Sequence, residues 1–326
     1  MIVLTGGAGF IGSNIAADLN AAGMTDLVIA DTLGVETKWR NIAKRRFFDF
    51  IFPPEIEAFL GERGDVSAII HMGANSSTTA RDGDEIVRSN FRLSTRLWDW
   101  CARKRVPLVY ASSAATYGGG EQGFIDDDSD AALDRLRPLN LYGWSKHAFD
   151  RWALEQARKG AAPPQWAGLK FFNVYGPNEG HKGDMQSLVA KNTRLVANGQ
   201  ALRMFKSHKA GVADGEQSRD FIYVKDCSAA VLWLLNNPQI SGLFNLGTGV
   251  ARSFKDLMLA VGAAQDKQVN FDFVEMPDSV RDQYQYFTQA EMSKLRCAGY
   301  EAPFHSIEDG VRDYVLNYLM QADPFR

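Results

Sequence analysis

Cysteine is scarce: Cys101, Cys227 and Cys297 are widely spaced among 326 residues, too few for a disulfide framework, and no C-x-x-C pair suggests a zinc site. A reducing compartment fits that scarcity. No stretch approaches the ~20 uninterrupted apolar residues of a membrane span. The first strand-like run starts at Ile2, with no room ahead of it for a signal peptide. The expectation is a cytoplasmic protein with no membrane partner. An excess of basic charge is also missing. Thirty-six Lys and Arg stand against 39 Asp and Glu, a formal charge of -3, which argues against a nucleic-acid partner. No internal repeat or low-complexity tract suggests a solenoid or a linker. The acidic run Asp126, Asp127, Asp128 and Asp130 lacks the Gly and distal Glu of an EF-hand loop, so it reads as a solvated loop and no metal is expected. His71, flanked by apolar residues and without other ligand types, reads as a packed histidine at a strand end.

What is present is ordinary globular composition, 45% hydrophobic and 23% charged, in a chain long enough for one large domain with a smaller partner. Ile2-Val3-Leu4-Thr5 reads as a buried strand that runs into Gly6-Gly7-Ala8-Gly9-Phe10-Ile11-Gly12. Glycines at that spacing permit a tight turn and let the backbone approach a pyrophosphate at the N-terminus of the next helix. Ile11, Ile15 and Leu19 supply that helix with an apolar face, and Gly23 ends it. Strand, glycines and helix therefore predict dinucleotide binding. Leu27 to Ala30 reads as a second strand ending at Asp31, placed to accept hydrogen bonds from the adenosine ribose. Asp31 alone predicts NAD, whereas Lys38, in a basic segment with Arg40, Lys44, Arg45 and Arg46, could hold a 2′-phosphate beside the acid and so favour NADP. Val66 to His71 predicts a strand leading into Met72-Gly73-Ala74-Asn75-Ser76, a small-residue turn suited to lie along a cofactor.

Tyr142 and Lys146 are four residues apart in a helical segment and so share one face. A neighbouring ammonium favours the phenolate and can lower a phenol pKa of about 10 by roughly one to three units, which makes the tyrosine useful as a base near neutral pH. Beyond Leu169 to Phe172 the regular alternation of strands and helices gives way to a loop-rich segment. A helix over Met185 to Asn198 and a hairpin-like segment around Leu202 to Phe205 follow. Phe244 to Gly249 reads as a late strand of the main sheet, which makes the second domain discontinuous, and a helix over Ser306 to Met320 closes the chain. The expected architecture is α/β. A Rossmann-like doubly wound parallel sheet spans 1–172 and about 226–262. A smaller α/β substrate domain spans about 173–225 and 263–326.

These motifs, together with Ala111 to Gly119, Asn173-Val174-Tyr175-Gly176-Pro177 and Arg219-Asp220-Phe221, resemble the extended short-chain dehydrogenases that act on nucleotide sugars. Within that superfamily the chain is most similar to the ADP-glycero-manno-heptose 6-epimerases, above all in Gly180-His181-Lys182-Gly183. The resemblance implies redox epimerisation of an ADP-sugar with tightly held NADP, NAD being possible, and a homo-oligomer serving lipopolysaccharide heptose supply. Tyr142 would move the hydroxyl proton, Lys146 would tune Tyr142 and bind the nicotinamide ribose, and Ser113 would hydrogen-bond the reacting oxygen. Lys182 would be the second acid/base. By the same resemblance Gly6, Gly9, Phe10, Ile11, Gly12, Asp31, Thr32, Lys38, Met72 to Ser76 (thus Gly73, Ala74 and Asn75), Asn90, Lys146 and Val174 would line the cofactor. Ser113, Asn173, Asp184, Lys191, Phe205, Arg219 and Tyr284 would face the sugar nucleotide.

The chain departs from that pattern at Pro53, where the family tends to have Lys, at Lys191, which replaces a His, and in a longer Lys206 to Gln217 loop. Asp184 stands in place of a small hydroxyl residue and puts an anion where a diphosphate is expected nearby. Two other readings stay open. A UDP-hexose 4-epimerase would share Ser113, Tyr142 and Lys146 without requiring Lys182. A catalytically silent NADP-binding regulator would need only the glycine turn.

Overall fold

The computed structural model describes residues 1–277, 281 and 284–326. The strands in chain order are β1 (Ile2–Thr5), β2 (Leu27–Ala30), β3 (Asp49–Ile51), β4 (Ala68–His71), β5 (Leu108–Ser113), β6 (Trp166–Phe171), β7 (Asn173–Tyr175), β8 (Leu202–Phe205), β9 (Ser218–Tyr223), β10 (Gly242–Leu246), β11 (Ala251–Ser253) and β12 (Phe271–Val274). Seven form one sheet in the order β10-β6-β5-β4-β1-β2-β3, and every neighbouring pair is parallel. β2, β4 and β6 are buried along their whole length, because helices cover both faces of such a sheet and leave no polar side for alternation. Strand order reverses at β1, which lies between β4 and β2, and it is at such a switch point that open α/β sheets bind ligands.

The helix Leu141–Arg158 lies beside β5. Asn140 caps it by accepting from the Gly143 amide at 2.8 Å, and its inward face carries Gly143, Ser145, Lys146, Phe149, Asp150 and Ala153. The helical segment ahead of β5 begins at Gly83, with the Asp82 carboxylate accepting from Glu85 N at 3.0 Å. It passes through a π turn at Val87–Arg92 and continues as Leu93–Lys104. Trp98 is fully buried there.

A second apolar cluster gathers the helices Leu188–Ala197, Phe254–Ala264 and Ile307–Tyr314 around Val189, Leu202, Tyr223, Met258 and Val311. By its buried side chains the Phe254–Ala264 helix packs in this second cluster, although the sequence division groups 226–262 with the first domain. Two further sequence readings change. The Leu202–Phe205 strand is no hairpin arm: it pairs in parallel with β12, and its alternating burial cannot distinguish the two arrangements. The acidic run is not wholly solvated either. Asp126 is buried and accepts from the Asn245 amide at 2.8 Å, and Lys294 pairs with Asp128 at 2.7 Å, so the run is pinned against β10 and the segment around Lys294. Among the described residues no helix is long and apolar enough to cross a membrane, and no cluster of His, Cys, Asp and Glu has metal-ligating geometry.

Candidate active site

The glycine turn leaves β1 with Gly6 at φ +66°, and a Cβ on Gly12 would stand 2.1 Å from Gly6 O. Only glycine can close this turn. The helix Phe10–Ala21 that follows has no side-chain cap and no acidic residue in its first turn, so its leading amides are available to an anion. Asp31 at the end of β2 is already engaged. Oδ2 accepts from Ala8 N at 2.9 Å, while Oδ1 accepts from Thr32 N at 2.7 Å and from Lys38 Nζ at 2.6 Å. Lys38 thus stands directly against the carboxylate and also donates to Thr32 O at 2.7 Å. An uncapped helix start, a carboxylate at the strand end and an adjacent cation together fit a nicotinamide dinucleotide.

From this turn a cleft runs along the carboxyl ends of the strands, its first half a cavity of about 520 Å³. Gly6, Gly9, Phe10, Ile11, Gly12, Asp31 and Lys38 line one end. Met72, Gly73, Ala74, Ser76, Ser113, Tyr142, Lys146, Val174 and Lys182 also line the cavity, Lys182 over the Phe10 ring. A second half shares Ser113, Tyr142 and Asn173 with the first and adds Arg219, Tyr284 and Thr288. Thr32, Asn75 and Asn90 do not reach the wall. Asn90 is buried behind it and exchanges hydrogen bonds with the backbone of Asn75, accepting from N at 2.8 Å and donating to O at 2.9 Å. It also donates to Ser145 Oγ at 3.0 Å, so it locks the turn after β4 to the Tyr142 helix.

Tyr142 hydrogen-bonds Ser113, whose Oγ also accepts from Ala115 N at 3.1 Å. Burial raises the Tyr142 pKa, the Ser113 bond lowers it and the charge of Asp150 raises it. The sequence expectation that Lys146 depresses the phenol is therefore not met here, because desolvation of the phenolate outweighs it. Lys146 itself is pulled down to about 8 by burial, against the opposing charge of Asp150. His71 meets its expectation: fully packed, it bonds Thr5 Oγ1 at 2.6 Å and Ser94 Oγ at 2.9 Å, and burial holds it neutral.

Lys182 leans over the ring of Phe10 with Nζ 4.9 Å from its centroid. Burial lowers its pKa, the charge of Glu179 raises it and Lys191 lowers it. Arg219 lies between the rings of Phe254 and Tyr284, 5.4 and 5.3 Å from their centroids, and burial lowers its pKa to about 10. Three residues expected to face the sugar nucleotide stand off the wall. Asp184 and Lys191 are exposed and bond each other, Nζ to carbonyl, at 2.6 Å. Phe205 is 36% exposed and touches the site only through the edge of Tyr284. The sequence reading missed Phe254, Gln285 and Thr288 on the second half, and Glu179 behind the Lys182 loop. Only tertiary packing brings these to the cleft.

A sequence profile described as the NAD dependent epimerase/dehydratase family matches residues 2–247. The chain belongs to that family. Among members of the epimerase/dehydratase family, it is 47% identical to the ADP-L-glycero-D-manno-heptose-6-epimerase of Fusobacterium nucleatum subsp. nucleatum over 100% of both chains. The crystal structure of the enzyme of that name from Helicobacter pylori has the same fold, with a TM-score of 0.80, 23% identity and coverage of 97% of this chain and 95% of the other. UDP-glucose 4-epimerase of Thermus thermophilus, solved with NAD, superposes with a TM-score of 0.78 at 25% identity over 98% of this chain and 99% of the other.

Proposed function

We propose that the chain interconverts ADP-D-glycero- and ADP-L-glycero-β-D-manno-heptose by inverting carbon 6, with NADP as its resident cofactor. The observation that carries this reading is the 47% identity, end to end, to a heptose 6-epimerase in a chain whose cleft joins Tyr142 and Lys182. The dinucleotide supplies acceptance and return of hydride. The first-turn amides of the Phe10–Ala21 helix would hold its pyrophosphate, Asp31 its ribose and Lys38 its 2′-phosphate. Tyr142, hydrogen-bonded to Ser113, takes and returns the hydroxyl proton on one face of the sugar, and Ser113 fixes the reacting oxygen. Lys146 would hold the nicotinamide ribose. Inversion exposes the keto carbon from two sides, and a single phenol is well placed for only one. Lys182, desolvated and lowered in proton affinity, is the second acid/base. Asn173, Arg219 and Tyr284 face the ADP-sugar. By family likeness the reaction feeds lipopolysaccharide heptose supply in the cytoplasm, as a homo-oligomer.

Proton NMR of ADP-D-glycero-D-manno-heptose and of UDP-galactose, each incubated separately with the purified chain, tests the reading. Conversion of the heptose alone is expected. Conversion of UDP-galactose alone would replace this reading with a 4-epimerase, as the Thermus likeness allows, and conversion of neither would leave a binding protein.

A further inference from the structure

Behind Ser113 and Lys146 lies a polar group of residues that the chemistry above does not use. Asp150 and Lys170 form an ion pair of 2.8 Å with side chains 0% and 2% exposed. The same Asp150 oxygen accepts from Ser112 Oγ at 2.6 Å, and the other accepts from Tyr110 OH at 3.2 Å. Lys170 Nζ donates to Thr116 Oγ1 at 2.9 Å, and that hydroxyl donates to Ser113 O at 2.9 Å. The pair therefore grips β5 one residue before Ser113 and also grips the turn immediately after it. On the helix side, Tyr142, Lys146 and Asp150 fall at four-residue steps along one face.

A buried ion pair is weak evidence of stabilisation, since apolar residues of similar volume often do as well. Its placement beside Lys146 is what calls for a role. Lys146 is 3% exposed and has no hydrogen-bond partner among the described residues. Of the ionisable groups around it, His71 on β4 is buried and neutral, Tyr142 is held in its protonated form by burial, and Asp150 brings a negative charge.

We propose that Asp150 is a positioning residue for the proton-handling set: it holds Lys146 as an ammonium and, through Ser112 and the Lys170–Thr116 bridge, keeps the Tyr142 helix in register with Ser113. Lys170 pairs with the carboxylate inside the buried group. This rests on reading Ser113, Tyr142 and Lys146 as the reacting set.

The test reads Lys146 directly in the full chain. Brief acetic anhydride pulses from about pH 6 to about pH 11, followed by peptide mass spectrometry, give the midpoint at which Lys146 becomes nucleophilic. Asp150→Asn is expected to lower that midpoint by about one unit or more, because an opposite charge one helical turn away is lost. Both limbs of the turnover–pH curve should move to lower pH with it, since the same carboxylate also raises the Tyr142 pKa. Asp150→Asn leaves Lys170 as an unpaired buried cation, so Asp150→Leu combined with Lys170→Met serves as the second variant. It removes both charges, and the midpoint should again fall. An unchanged midpoint in either folded variant overturns the proposal. Failure of both to fold, judged by circular dichroism, assigns the pair to folding alone and equally overturns it. A wild-type chain that titrates at Lys146 but leaves ADP-heptose untouched would count against the proposed substrate, not against the positioning role.

Discussion

The two sides of the cleft are built by different means. On the Tyr142 side, the proposed reacting groups sit on a capped helix and on the end of a central strand, and a set of buried hydrogen bonds ties the two together. On the Lys182 side, the proposed second acid/base sits in an irregular turn, Gly180–Met185, where Gly183 adopts φ +53°. That turn is held by single contacts from several elements: buried Glu179 accepts from Ser187 N and Oγ, each at 2.6 Å, and from Gly176 N at 3.3 Å, Asn41 meets the His181 ring at 3.1 Å, Gln186 donates to Gly180 O at 2.8 Å and Lys191 donates to Asp184 O at 2.6 Å. The Tyr142 group is fixed by regular elements and a shared buried network, whereas the Lys182 group is placed by an irregular turn whose bonds go to separate elements.

The sharpest way to break the contrast is to remove the phenol oxygen. Tyr142→Phe should lower turnover by ~100- to 10,000-fold while cofactor affinity, measured by fluorescence titration, stays within a few fold, because the ring still packs. Near wild-type turnover would make Tyr142 an ordinary wall residue. Next comes Lys182→Met, for which turnover at saturating ADP-heptose should fall by at least ~100-fold with only a modest rise in the dissociation constant. If Lys182 merely pairs with the diphosphate, the pattern reverses: weak binding and preserved turnover. Lys38→Ala is the mildest change. Its partly exposed ammonium stands against Asp31, so competitive titration of stripped protein should show the preference for NADP over NAD falling by about tenfold. An unaltered preference would remove Lys38 from cofactor choice.

The same contrast decides what could be read before folding. The glycine turn, Asp31, and the Tyr142–Lys146 spacing are local patterns whose physical meaning survives without tertiary context, and each reached the cleft as expected. Asn90, on the π turn, is spent on Asn75 and Ser145 behind the cleft wall, a use that local spacing does not show. Asp184, in the irregular turn, and Lys191, on the helix that follows, depart from the family pattern, and they bond each other outside the cleft wall, an arrangement that spacing does not reveal. The proton affinity of Tyr142 was misjudged in direction for a related reason: spacing shows the neighbouring ammonium, but only packing shows how much water the phenol loses. Asp150 lay at the next four-residue step after Lys146, a visible signal whose use depends on a lysine, Lys170, on a different strand.

The π turn at Val87–Arg92 has a consequence in helical phase. It takes one residue more per turn than the α-helix on either side, so every side chain after it is rotated by roughly 100° from where an uninterrupted helix would carry it. Trp98, six residues beyond the turn, meets Phe149 and Trp152 on the Tyr142 helix at centroid distances of 6.3 and 6.0 Å in that shifted phase. One supernumerary residue thus does two jobs at once: it aims Asn90 at Asn75 and Ser145, and it keys the long helix after it to the helix that carries the reacting tyrosine. Loss of any single residue from this turn would turn both features out of alignment together, a dependence on chain length at one point that no substitution could mimic.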